Sequence, residues 1–170
     1  MKQHILIIGA GFGGVWSALS AVRLLDKHDR NDVRISLLAP QAELRIRPRF
    51  YEPDVHTMLA PLDALFDAVG VTFVQGAADS IDATNKQVTY RNAAGIPATL
   101  AYDRLVVAAG SRLNRPGMDG IEHVFDVDQI EDAAHLEAHI NAQKNLPDSP
   151  ARNTVVVAGG GFTGIQTATE

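Results

Sequence analysis

With 170 residues, 46% hydrophobic side chains and no cysteine, the chain can bury a core of its own. It has no means of building a disulfide framework, a thiolate metal site or a cysteine redox pair. The net charge of −5, with fifteen Lys and Arg scattered among twenty Asp and Glu, provides no basic stripe and argues against nucleic acid as a partner. Any redox chemistry therefore has to use a bound cofactor.

Lys2 ahead of Ile5-Leu6-Ile7-Ile8 resembles the start of a signal peptide, but the apolar run stops at Gly9 and glycines follow. No stretch approaches the roughly 20 apolar residues of a membrane span, so a cytoplasmic protein is expected. The run Ile5 to Ile8 reads as a parallel strand covered on both faces. After the glycines, Val15, Leu19, Val22 and Leu25 recur at helical spacing, and the polar cluster from Asp29 to Asp32 ends that helix. Val33 to Leu38 is the returning strand of a βαβ unit with a right-handed crossover.

Residues 40–53 read as irregular and carry Arg45, Arg47 and Arg49; Pro61 starts a helix bearing Leu62, Leu65, Phe66 and Val69 on one face. Val71 to Gln75 is a further strand. Lys86 to Tyr90 and Ala98 to Ala101, with turns at Asn92 and Gly95, predict an antiparallel β-meander inserted into the parallel fold. Leu105-Val106-Val107-Ala108 is again a buried strand. Pro116, Gly117 and Gly120 mark a crossing between domains, expected to span 1–115 and 116–170. Asp128 with Glu131 resembles a capping box for a helix with Ile130, Ala133, Leu136 and Ile140 as its stripe. A polar loop then leads into a strand at Thr154 to Ala158.

Each end of this plan carries a glycine fingerprint, Gly9-Ala10-Gly11-Phe12-Gly13-Gly14 and Gly159-Gly160-Gly161-Phe162-Thr163-Gly164, between a strand pattern and a helix pattern. A diphosphate must approach bare backbone and meet free N–H groups at a helix start, where the macrodipole favours negative charge. Gly9 permits the tight turn, Gly11 leaves room for the pyrophosphate, and Gly14 lets helix and strand pack closely; Gly159, Gly161 and Gly164 repeat these roles. Two such turns predict two dinucleotides. Where an acidic residue normally holds the adenosine ribose, at the end of the second strand, the chain has Ala39 and then Pro40. Gln41 or Glu43 is the candidate replacement.

The first fingerprint, the stretch from Tyr102 to Arg112 that includes Ala108-Ala109-Gly110, and the second fingerprint come in an order that resembles the two-dinucleotide-domain flavoproteins. In that family's "ATG" stretch Thr is usual, and this chain has Ala109. Arg47-Pro48-Arg49-Phe50-Tyr51-Glu52 and Gly161-Phe162-Thr163-Gly164 look most like type II NADH:quinone oxidoreductases. Members that use a redox-active cysteine match less well. The resemblance implies a Rossmann-like FAD-binding domain with an inserted meander, followed by the start of a second Rossmann-like NAD(P)H domain.

It also implies hydride transfer from NAD(P)H to FAD and onward to a quinone or other small acceptor, with Ala78 meeting the adenine through its backbone. Type II enzymes carry a glutamate two residues after the third glycine, and here Gln166 stands at that catalytic position. The resemblance further implies a C-terminal remainder that completes both nucleotide sites and supplies any peripheral membrane contact. Without it, the unpaired edges of strand 154–158 favour self-association. The alternatives are a non-enzymatic nucleotide-binding or assembly module and a ferredoxin-reductase-like flavoprotein.

Arg45, Arg47 and Arg49 alternate, and Pro48 favours an extended Arg47, so the three are either a phosphate-facing or flavin-facing set or a solvated loop. His135 and His139 lie one helical turn apart with no evident third ligand, which reads as a surface pair with no metal. Trp16, beside the apolar stripe of the first helix, reads as a packing residue and not a cofactor-stacking one, with the portion beyond this chain as a candidate surface for it.

Overall fold

The computed structural model describes residues 3–115 and 117–170. Lys2 and Pro116 lie outside that range. Contacts group the chain into two units, Met1–Leu44 with Pro61–Ser111, and Arg45–Ala60 with Arg112–Glu170.

The first unit is built on a six-stranded sheet. Strand β1 (Gln3–Ile8) leads through the glycine turn into helix α1 (Phe12–Lys27), and β2 (Val33–Ala39) pairs parallel with β1 from Gln3↔Val33 to Ile8↔Leu38. The chain leaves and re-enters this unit along a two-stranded ribbon, β3 (Glu43–Arg45) and β4 (Leu59–Pro61). Helix α2 (Asp63–Val69) follows. It begins two residues after Pro61, because Pro61 belongs to β4 and Leu62 donates its N–H to the Ala42 carbonyl at 2.8 Å. Gly70, with φ +68°, closes α2 in the left-handed conformation that stops a helix.

Strand β5 (Thr72–Asp82) pairs parallel with β2 at one end and antiparallel with β6 (Gln87–Asn92) at the other, and β7 (Pro97–Ala101) extends the meander. β8 (Arg104–Val107) returns beside β1, so the order is β7-β6-β5-β2-β1-β8. A parallel sheet needs cover on both faces, and here two different layers supply it. On one face Val15 and Ala18 of α1, Phe66 of α2 and Leu62 just ahead of it meet Ile7, Ile35, Leu37 and Ala39; on the other, Val88, Tyr90 and Leu100 of the meander lie with Leu6, Ile8 and Leu38.

Gly76 is where β5 passes from one pairing to the other. A Cβ there would stand 2.5 Å from both the Arg91 carbonyl oxygen and a Tyr90 ring carbon. Toward the other end of the parallel strands, His4 of β1 is buried with only 4% exposure. Its Nδ1 lies 2.6 Å from the Ala101 carbonyl and its Nε2 2.9 Å from Ser36 Oγ. The carbonyl can only accept, so Nδ1 carries the proton and Nε2 accepts from the serine. Burial pushes this imidazole below its ordinary value of 6.5, although the Ala101 hydrogen bond pulls the other way.

In the second unit, helix α3 (Ile130–Gln143) buries Ile130 and Ala133 against Phe50, Val55 and Met58 of the excursion 45–60. Three acidic side chains of this region also reach the excursion: Asp128 pairs with Arg47, Glu131 with Arg45 at 3.3 Å, and Glu137 accepts the Asp54 N–H at 2.7 Å. Gln129, not Asp128, caps α3, and its side chain makes no capping bond. Asp128 is occupied elsewhere, accepting the Leu113 N–H at 2.9 Å, the Gln129 amide at 2.8 Å and the Arg47 guanidinium.

The last helix, α4 (Phe162–Thr169), follows the second glycine turn. The strand expected at 154–158 is not formed: a strand is defined by its ladder bonds, and among the described residues none pairs with this segment.

Candidate functional site

The first glycine turn sits at the carboxyl ends of β1 and β8. Gly9 donates its N–H to the Leu38 carbonyl at 2.9 Å, and Ala108 donates to the Ile8 carbonyl at 2.8 Å, so the turn is tied to both neighbouring strands. Gly9 has φ +105°, and a Cβ on it would lie 2.2 Å from the Ala108 carbonyl oxygen. A Cβ on Gly14 would lie 1.8 Å from the Gly9 carbonyl oxygen, which is how the first turn of α1 approaches the strand end so closely. Ala108 contributes by being small: its own Cβ is 3.7 Å and 3.6 Å from the Cβ positions of Gly13 and Gly14. Ala109 and Gly110 continue the crossing, with Gly110 at φ +73°.

Gly11 differs from its neighbours in that a Cβ there meets nothing within 4 Å. It is the N-cap of α1 in extended conformation, and its carbonyl takes the first helical bond, from Val15 N–H at 3.0 Å. The amides ahead of that bond are the unpaired donors that every helix start presents. No acidic side chain occupies the first turn of this 16-residue helix, so its positive end is not neutralised from within. Phe12 projects beside it, 55% exposed. Two glycines are therefore required by the fold and one leaves open space for a ligand, as a pyrophosphate cradle needs.

The second turn repeats the local geometry. Gly159 has φ +124°, Gly161 is the extended N-cap of α4, Ile165 donates to the Gly161 carbonyl at 3.1 Å, and a Cβ on Gly164 would stand 2.1 Å from the Gly159 carbonyl oxygen. Phe162, Thr163 and Gln166 lie exposed on α4. Nothing lies within 4 Å of a Cβ on Gly159 or Gly161.

Arg47-Pro48-Arg49 forms a turn of 3₁₀ helix and not an extended segment. Pro48 stands at its beginning, where a missing N–H costs no bond. The three guanidiniums are not presented as one set: Arg45 and Arg47 turn to Glu131 and Asp128, while Arg49 pairs with Glu52 three residues on. Burial acts to raise the Asp128 carboxyl, but hydrogen bonds from Gln129, Leu113 and Arg47 outweigh it and hold the group below the usual range.

Ala39 is buried at the end of β2, with Gln75 as its register partner on β5. Ala78 lies exposed on β5 and pairs with Tyr90 beside a register shift. Trp16 is 73% exposed on α1, so it joins no core among the described residues. His135 and His139 both lie against the Phe125 ring, at 5.0 Å and 4.5 Å between centroids. Asp128 as a three-way acceptor and the His4–Ser36 pair were not foreseen from sequence, since neither has a local signature.

A mostly parallel sheet with a glycine-lined helix start beside an interior strand is the arrangement of a nucleotide-binding α/β protein. Residues 3–170 match the model of the pyridine nucleotide-disulphide oxidoreductases, and the chain belongs to that family. It is 37% identical over 170 residues to an NADH dehydrogenase-like protein of Mycobacterium tuberculosis, covering 98% of this chain and 42% of that protein. A type II NADH:quinone oxidoreductase of Staphylococcus haemolyticus is 27% identical over 179 residues, with 97% and 42% covered. The fold is shared with the water-forming NADH oxidase of Lactobacillus brevis, at a TM-score of 0.74 and 18% identity over 98% of this chain and 36% of that one. The chain thus spans under half the length of these curated relatives.

Proposed function

We propose that this chain is the N-terminal portion of an FAD-dependent NADH dehydrogenase that passes reducing equivalents to a quinone-like acceptor. The observation that carries the reading is the first glycine turn, where Gly9 and Gly14 admit no Cβ while Gly11 leaves open space at an uncompensated helix start. These residues fit the diphosphate of FAD. Bound flavin would accept hydride from NADH and pass two electrons on to the acceptor.

The chain's own part is to bind and orient. In the assignment 1–115, Gly9, Gly11, Phe12, Gly13 and Gly14 hold the FAD diphosphate through backbone amides, Ala39 and Ala78 line the adenosine end, and Ala108, Ala109 and Gly110 border the turn. In the assignment 116–170, Gly159, Gly161, Phe162, Thr163 and Gly164 receive the nicotinamide dinucleotide. Gln166 stands one turn into α4, where it donates or accepts a hydrogen bond without moving a proton. Arg47 and Pro48 are proposed as cofactor contacts on sequence grounds alone; within its own unit Arg47 pairs with Asp128.

The parent protein is proposed to be longer, cytoplasmic and peripheral to a membrane; no helix among the described residues is long and apolar enough to cross one. The chain alone is expected to be feeble or inactive, because among the described residues no strand pairs with the segment that leads into the second turn. The exposed Val155, Val156 and Ile165 favour self-association.

The test is reconstitution. Purified chain is titrated with FAD and then exposed to NADH under exclusion of oxygen, beside a version extended by its natural continuation. Retained flavin absorbance in both, bleached by NADH in the longer version, supports the reading. A chain that neither retains nor takes up FAD in either form overturns it, and flavin held but never reduced leaves the nucleotide-binding module in its place.

A further inference from the structure

Adenosine at a Rossmann turn is normally held by a carboxylate at the end of the second strand, which accepts a hydrogen bond from the ribose 2′-hydroxyl. In this chain that position is Ala39, whose buried methyl can accept nothing. The strand next to it offers a replacement. Ala39 is paired with Gln75 of β5, and register partners project to the same face of a sheet. Gln75 is exposed, one residue before Gly76, at the same carboxyl edge.

Its amide is already oriented. Gln75 Nε2 donates to the Pro40 carbonyl at 3.1 Å, and the opposite flip would set two acceptor oxygens against each other, so the nitrogen faces Pro40. That tether leaves Oε1, which among the described residues has no protein donor, as a fixed acceptor beside the vacant ribose position. Pro40 assists, since its ring fixes φ and holds the carbonyl in place.

We infer that Gln75 is the ribose-positioning residue of the first nucleotide site, accepting the adenosine 2′-hydroxyl in place of the missing carboxylate. This rests on the proposed FAD site and adds a residue to it. Gln41 and Glu43 are then dispensable for the ribose contact.

The experiment compares FAD with FAD lacking the adenosine 2′-hydroxyl, titrated into wild-type chain and Gln75→Leu while flavin fluorescence is followed. Loss of one neutral hydrogen bond corresponds to about a fivefold weaker Kd. Wild-type chain should bind FAD about fivefold tighter than the 2′-deoxy analogue, and Gln75→Leu should bind both equally at the weaker value with an unchanged melting temperature. Gln75→Glu, which keeps an acceptor oxygen but loses the donor to Pro40, should recover the preference only in part.

Equal FAD affinity in wild type and Gln75→Leu overturns the inference while leaving the flavin site standing. So does a parallel loss of both ligands that keeps the preference, because that is a structural effect. Wild-type protein that binds neither flavin, both as this chain and extended by its natural continuation, removes the site and the inference together.

Discussion

At the first glycine turn Gly9 has φ +105° and the helix N-cap Gly11 sits at φ −75°, ψ −178°; at the second, Gly159 has φ +124° and Gly161 sits at −77°, 174°. The two backbones are close to copies. Their surroundings are not. The first turn is bonded to β2 and β8 and its strand contains Leu6 and Ile7 with no exposed surface, whereas Val156 and Phe162 of the second are 86% and 88% exposed. The glycine pattern therefore encodes a local shape that forms with or without a sheet behind it. The sheet determines whether that shape is anchored.

Alanine in place of the leading glycine should separate the two turns most sharply. Gly9→Ala combines left-handed strain with a collision against the Ala108 carbonyl, at about 1–3 kcal/mol for each. Gly159→Ala meets only the strain, in a segment that bears on no core. Urea titration should show the first losing about 2–6 kcal/mol while the second leaves the main transition in place; equal losses would mean that the second turn belongs to the cooperative core.

Next in size, Leu37→Ala should cost about 2–5 kcal/mol by opening a cavity. Val156→Ala should stay within about 0.5 kcal/mol in the same assay. A Val156→Ala loss beyond 1 kcal/mol would show that the segment is packed.

Acidification distinguishes the two units through different groups. His4, in the first unit, has a folded value below 6.5, so the unfolded chain binds its proton first and stability falls as pH drops from about 6.5 toward the folded value. A pH series of melts should show this fall, and His4→Gln should remove it. Asp128, in the second unit, is held below its ordinary 3.8. Its contribution is complete above that value and disappears only as pH falls through the lower folded one, so Asp128→Asn should alter the profile only at the acid end.

The smallest energetic difference is the easiest to map. Amide hydrogen exchange at Val155 to Val157 should run near the unprotected rate while Leu6 to Ile8 exchange only through global opening. Protection at Val155 to Val157 would reveal ladder bonds and restore the strand expected there.

Much of the first unit was legible because its signals are local. The apolar run at Ile5 to Ile8, the helical stripe from Val15 to Leu25 and the meander turns at Asn92 and Gly95 each specify an element without reference to distant residues. What was not legible depends on long-range contacts. That Phe50, Val55 and Met58 pack under Ile130 and Ala133 has no signature in the excursion itself, and the turning of Arg47 toward Asp128 follows from that packing. The same packing draws Asp128 away from capping α3. The Thr154 to Ala158 run has the composition of a buried strand, but composition supplies no pairing partner. At the candidate site the glycine roles could be read from spacing, while Gln75 could not, because its relevance depends on which strand lies beside Ala39.

Gly76 also works as a check on assembly. Strand β5 could in principle slide along β6, since its outer half beyond Gly76 is exposed. Any slip, however, would bring a residue with a side chain to the point where Arg91 and Tyr90 leave room for hydrogen alone. One missing methyl thus opposes a slip where the meander joins the parallel sheet, and acts together with the fully buried Val88 to keep the cover on the back of that sheet.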